Sequence, residues 1–251
     1  MNIKHYILLI LILFALSTNA QKQVPKNLKK YDVVKLHFGM ALGFNRTDGV
    51  IYNSDKFFGL DSVYSVETQA VPGFNINIVV NYNLNKYWGI RFLPGLNFGQ
   101  RDLHYIVYDP VEEKPFEKVM QIESTYLDFP LFLQLKSERI NNFRAYVIGG
   151  LSYKYDLSSQ KKIKEDEKPK IRFNPHILNY EIGLGTDFFL QYFKFAIEVR
   201  YIRGVNNMIK YDASQYTQSI AKMENQMFFV TFLFEGSDTD GLAFFKWFKR
   251  K

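Results

Sequence analysis

Residues 125–136 read Thr-Tyr-Leu-Asp-Phe-Pro-Leu-Phe-Leu-Gln-Leu-Lys. Leu127, Phe129, Leu131, Leu133 and Leu135 take alternate positions, with Asp128, Gln134 and Lys136 on the other phase. A period of two predicts a strand with one apolar face, and this one is long enough for the about 9 to 11 residues of a tilted, bilayer-crossing strand. The same alternation recurs along the chain. A first strand is predicted over residues 35–45, with Leu36, Phe38, Met40, Leu42 and Phe44 on one face. A second, 73–84, sets Phe74, Ile76, Ile78 and Val80 against Asn75, Asn77, Asn81 and Asn83. A third, 87–101, sets Trp88, Ile90, Phe92, Leu96 and Phe98 against Arg91, Gly95, Asn97 and Arg101. The stretch 125–136 is the fourth. A fifth, 143–157, carries Arg144, Lys154 and Asp156 on its polar phase, where Ile148 also falls. The sixth (180–190), seventh (193–203) and eighth (225–235) complete the set, the last with Phe228, Val230, Phe232 and Phe234 outward.

The connections alternate in length. Long ones are expected over 46–72, 102–124 and 204–224, and around the charged run 161–172, which reads as a solvated loop. Short ones fall at 85–86, 137–142 and 191–192. This is the plan of an all-β, eight-stranded antiparallel up-and-down barrel with its turns at one end and its loops at the other.

Alternation alone leaves open a soluble barrel with the apolar face inside. Composition separates the two. The polar phase carries Arg91, Arg101, Lys136, Arg144, Lys154, Lys194 and Arg200 beside Asp128, Glu181, Asp187 and Glu198. An eight-stranded barrel has an interior just filled by side chains, and mixed signs can pair there, whereas an unpaired buried charge is strongly destabilising. The reading is a transmembrane β-barrel with a lumenal charge network and an apolar exterior in contact with outer-membrane lipid. Gly39, Gly43, Gly95 and Gly183 are expected to make room for the long Arg and Lys chains. Tyr82, Trp88, Tyr126, Tyr192, Phe193 and Tyr201 fit interfacial girdles. Pro130 lies inside a strand where it cannot donate to the ladder; a bulge there would reconcile it, though the sequence does not show one, and Pro94 raises the same question.

The first residues change the picture further. Lys4, the apolar run 6–16 and the small-residue end Thr18-Asn19-Ala20 predict a cleaved secretory signal over 1–20. A periplasmic lead (21–34), the barrel (35–235) and a periplasmic aromatic and basic tail (236–251) follow. The absence of cysteine excludes disulfides and a lipid-acceptor thiol. The net charge of +7 is spread along the chain and does not point to nucleic acid. His37 faces the lumen without a Ser in matching phase. His104 and His176 are placed in loops without metal-site spacing. No catalytic residue, metal, cofactor or small-molecule substrate is expected. Phe57, Phe58 and Tyr64 in the first loop either contact a partner or pack over the barrel mouth. Phe245, Trp247 and Phe248 in the tail suit the inner leaflet or a periplasmic partner, and a frayed end is the plainer reading.

Three motifs carry a resemblance: Tyr126-Leu127-Asp128-Phe129-Pro130-Leu131; Arg144-Ala145-Tyr146 with Gly149-Gly150 after it; and Glu198-Val199-Arg200-Tyr201 followed by Gly204. In these, and over about 36–235, the chain resembles the PorT family of small outer-membrane barrels of Bacteroidota, called SprT in gliding species. The resemblance implies a component needed for type IX protein secretion, and for gliding where it occurs, with other components of that system as partners. It transfers no site residues. A filled lumen adds that the barrel docks or assembles and is not a pore. The alternative is a stand-alone surface barrel in adhesion or envelope stability.

Overall fold

The structure is a computed structural model that describes residues 25–55, 63–109, 113–158, 171–211 and 215–236. Its strands are β1 (Leu36–Asn53), β2 (Val63–Asn83), β3 (Trp88–Phe92), β4 (Gly95–Asp109), β5 (Lys114–Lys136), β6 (Phe143–Asp156), β7 (Arg172–Phe173), β8 (His176–Phe189), β9 (Phe193–Gly204), β10 (Ile209–Lys210) and β11 (Ile220–Gly236). β3 and β4 share one stave. The antiparallel order is β1-β11-β9-β8-β6-β5, then β3 with β4, then β2, and β2 pairs with β1 again. The sheet thus closes into an eight-staved barrel without an edge.

The apolar phase faces outward, as expected. Phe44, Ile78, Leu131, Val147, Leu151, Ile182 and Leu184 are all more than half exposed, whereas Asn45, Asn77, Ser152 and Glu181 on the polar phase are buried. Along β2 and into the turn after it, the outward run Phe74 to Leu84 spans about 25 Å at the usual rise and tilt, the height of a bilayer's apolar band.

Most strands run well beyond the predicted limits on the long-loop side. Much of the expected loops 46–72 and 102–124 is β1, β2, β4 and β5, and 204–224 contains β10, a helical turn at Gln215–Gln218 and the start of β11. The reason is a reversal of polarity. Outward positions turn from apolar to polar at Phe44 to Arg46, Phe98 to Gln100, Tyr201 to Arg203 and Phe228 to Gln226. Inward positions turn from Arg101, Asp128 and Asn225 to Leu103, Tyr105, Met120 and Met223, all buried. Below this level the strands are stabilised by lipid outside, and above it by an apolar core inside. β2 makes the change through a register shift between Val71 and Phe74, which moves its exposed positions from even (Phe74, Ile76) to odd (Glu67, Gln69). The pattern switches phase there, so period-two reading stopped short.

No bulge occurs at Pro130. Phe129, Pro130 and Leu131 pair with Tyr153, Ser152 and Leu151 in unbroken register. The opposite strand yields instead, interrupted at Leu93 and Pro94 between β3 and β4 while keeping one register. Leu93 N–H donates to Pro130 O at 3.2 Å. The return bond lacks a donor, and Asn77 Nδ2 supplies one to Leu93 O at 3.1 Å from inside the lumen. Ile148 lies inside too, in a small apolar cluster with Ala41, Val79, Leu93 and Phe132. Its place on the polar phase is real.

Candidate functional site

The lumen is occupied by charge. Lys154 bonds Asp128, which also accepts from Asn97 at 2.7 Å, and lies 3.5 Å from Glu181. Glu181 accepts from Arg200 at 2.9 Å, and Arg200 lies 3.3 Å from Glu198. Glu198 takes Arg91 at 2.5 Å and the Tyr146 hydroxyl at 2.8 Å. Arg91 continues to Glu235 at 3.5 Å, Glu235 to Lys194 at 2.6 Å, Lys194 to Asp187 at 3.3 Å, and Asp187 to Arg144 at 3.0 Å. The path ends on Asp32, 3.0 Å from Arg144. Signs alternate at every step. Each charge on this path therefore has an opposite neighbour, the condition under which ions are tolerated away from water.

All the charged lumenal residues named from the sequence are buried. Two stand off this path. Arg101 donates to Tyr126 Oη at 2.6 Å and Asn225 Oδ1 at 3.3 Å. Lys136 donates to Asn83 Oδ1 at 2.6 Å. Tyr126 is therefore a lumenal residue and not part of a girdle; its even phase beside Asp128 signalled this. Of the glycines, Gly183 makes room for an arginine: a Cβ there would lie 2.8 Å from Arg200 Cγ. Gly43 and Gly95 face Asn75 and Asn77, and Gly39 faces the backbone of Phe234. Gly185 opposes the Tyr146 ring, with a Cβ falling 2.4 Å from its Cζ.

Sequence reasoning missed Glu235, Asp32 and Tyr31. Glu235 shares the inward phase of Thr231 and Leu233, a signal that was there to be used. Tyr31 and Asp32 lie before the first strand, where no periodicity points anywhere. The lead folds back under the barrel at the short-turn end. Tyr31 is fully buried, donates to Glu235 Oε2 at 2.5 Å and stacks on His37 with ring centroids 3.7 Å apart. Asn27 is tied to Asn142 and to Phe189 O, and Asp32 also meets Arg139 at 3.2 Å. The lead is a stopper. At the other end the apolar core of Leu103, Tyr105, Met223 and their neighbours fills the barrel, with the paired β7 and β10 packed on it through Phe173 and Ile209.

Tyr64, expected in the first loop, is an exposed residue of β2 in an edge contact with Tyr108. Phe57, Phe58, Phe245, Trp247 and Phe248 lie outside the described residues, as do the predicted signal and nearly all of the 161–172 run. His104 is on β4 against Glu117 at 2.5 Å, and His176 opens β8 with its ring on Tyr153 Oη at 2.6 Å; neither belongs to a loop. Among the described residues no cluster of His, Asp and Glu could hold a metal ion. Outside the bilayer level two carboxylates are held below their usual range: Glu138 by Lys86, and Glu224 by Lys222 and then Arg203.

No helix among the described residues is long and apolar enough to cross a membrane, so any crossing is made by strands. No curated protein matches the chain. Among solved structures it is similar to the outer-membrane protein OprG of Pseudomonas aeruginosa, with 12% identity over 79% of this chain and 93% of that one and a TM-score of 0.43. It is also similar to Ail, the attachment invasion locus protein of Yersinia pestis, with 14% identity over 80% and 99% of the two chains and a TM-score of 0.38. For the Neisserial surface protein A the figures are 9%, 78%, 96% and 0.37. The model of the outer membrane protein beta-barrel domain matches residues 19–210, most of the chain. An eight-staved barrel, apolar without and charged within, belongs to that family: this chain is an outer-membrane β-barrel protein.

Proposed function

We propose that the protein serves type IX protein secretion as a docking or assembly component of the outer membrane, without a catalytic role and without conducting substrate. The observation that carries the reading is the lumen: an unbroken series of paired charges, closed by the lead at the periplasmic end and by an apolar core at the extracellular end. A path for a polypeptide would require parting these pairs and leaving buried charges uncompensated, at a cost of about 3–5 kcal/mol for each pair broken. What remains for function is surface. The secretion system itself is suggested by the motif around Asp128 and Pro130 and its two companions, which resemble the PorT family. Gliding would depend on the protein where the organism glides.

Deleting the coding region, complementing it and measuring the release of proteins with type IX C-terminal sorting domains tests this. Accumulation of these proteins inside the cell, reversed by complementation, is the expected result. Untouched export removes the secretion role and leaves a stand-alone barrel in adhesion or envelope stability, a reading favoured by the polar-faced strands that continue beyond the bilayer level.

A further inference from the structure

A cavity of about 210 Å³ opens at the periplasmic mouth, between the lead and the turn joining β2 to β3. Asp32, Lys35, Leu84, Lys86, Lys136 and Arg144 are among its walls. Four of these are cationic and one is acidic. The acid is already engaged, because Asp32 meets both Arg139 and Arg144.

Lys136 is 3% exposed, and its single side-chain partner among the described residues is the neutral Asn83 amide. No carboxylate among the described residues lies within ion-pair distance of it. The charged groups acting on it are Arg144, Lys194, Arg91 and Asp187, and Asp187 is shared by Arg144 and Lys194. In a lumen where the other buried lysines have acidic neighbours, this ammonium stands apart. A buried cation without an anion is strongly unfavourable. Lys35 also has no ion-pair partner among the described residues, and Lys86 is tied to Glu138 at 2.6 Å.

We propose that this cavity binds the phosphate group of a phospholipid from the inner leaflet of the outer membrane. Depth selects a lipid over a free anion. The cavity lies where the outward apolar run of β2 ends: Leu84 in its wall is 48% exposed, and Val33 is 81% exposed. Tyr82, Tyr87 and Trp88 stand outward beside it, the amphipathic residues that mark headgroup level. A headgroup phosphate at that height reaches Lys136 while its acyl chains lie along the barrel wall.

The test is native mass spectrometry of the full mature chain in detergent with added dioleoylphosphatidylglycerol. One lipid should be retained, and Lys136→Gln should weaken retention about tenfold, as for loss of one charge-assisted hydrogen bond. Heat-dependent gel mobility checks that the variant is folded; if it is not, Lys35→Gln takes its place and should weaken retention severalfold. Equal retention by the folded variants and the wild type overturns the proposal, and so does equal retention of dioleoylglycerol, which lacks the phosphate. Inorganic phosphate at 10 mM is the arm for a free anion, at roughly the strength that would saturate a millimolar site. Release of the lipid by it identifies a free-phosphate site and overturns the lipid assignment; retention supports it.

Discussion

Glu198 is a junction of the lumenal charge path: it accepts from Arg91 and from the Tyr146 hydroxyl and lies 3.3 Å from Arg200. Replacing it by Gln keeps the volume and removes the charge. The Arg200 contact at 3.3 Å corresponds to about 5 kcal/mol of gross attraction at an effective dielectric near 20. Both arginines keep another partner, Glu235 at 3.5 Å for Arg91 and Glu181 at 2.9 Å for Arg200. The net loss should therefore sit at the lower end of the about 3–5 kcal/mol measured when one partner of a buried pair is removed. Arg200→Gln should cost about the same, since it leaves Glu198 with Arg91 and Glu181 with Lys154. The double variant removes one charge of each sign, so it should cost less than the sum by about 2 kcal/mol, within the range seen for residues in contact. Reversible urea unfolding in detergent, followed by Trp fluorescence, measures all three variants. A Glu198→Gln loss below about 0.5 kcal/mol, the range of ordinary surface changes, or strict additivity in the double variant, would refute the reasoning. The lumen would then be wet enough for its charges to stand alone.

Three further outcomes are expected. Gly185→Ala should displace the Tyr146 ring and cost about 1–3 kcal/mol through overpacking, whereas Gly149→Ala, with nothing within 4 Å of its Cβ, should be near neutral; the same unfolding assay reads both. Asn77→Ala should cost about 1–3 kcal/mol by orphaning Leu93 O, and less in a Pro130→Ala background, where the restored N–H can reach that carbonyl. Because Glu224 titrates below its usual value of 4.5, its contacts with Lys222 and Arg203 should be fully present above that pH and be lost as pH falls through the lower, folded value; hydrogen-exchange protection at the outer ends of β9 and β11, taken relative to the intrinsic rate at each pH, should fall there in wild type and be less pH-dependent in Glu224→Gln.

Strand identity, facing and order are local properties, and the sequence determined them. A residue such as Leu131 or Glu181 is committed to one face by its phase alone, and the mixed signs on the inner phase were enough to say that the apolar face is outside. The tertiary structure decided the rest. Phase says which residues share the lumen but not which height each reaches, so the path from Asp128 to Asp32 needed the stagger of all the staves. It also decided the ends of the strands, because beyond the bilayer level the same alternation continues with its sides exchanged, and in β2 a register shift conceals the continuation. Pro130 could be placed only with its neighbours, since the donor it lacks is replaced by Asn77 from a strand that is distant in sequence and adjacent across the break at Leu93. Tyr31 and the lead belong to the same class. The burial of Tyr31 depends on a mouth built by β6, β8 and β11, and nothing local to residues 25–34 describes a surface assembled from the other end of the chain.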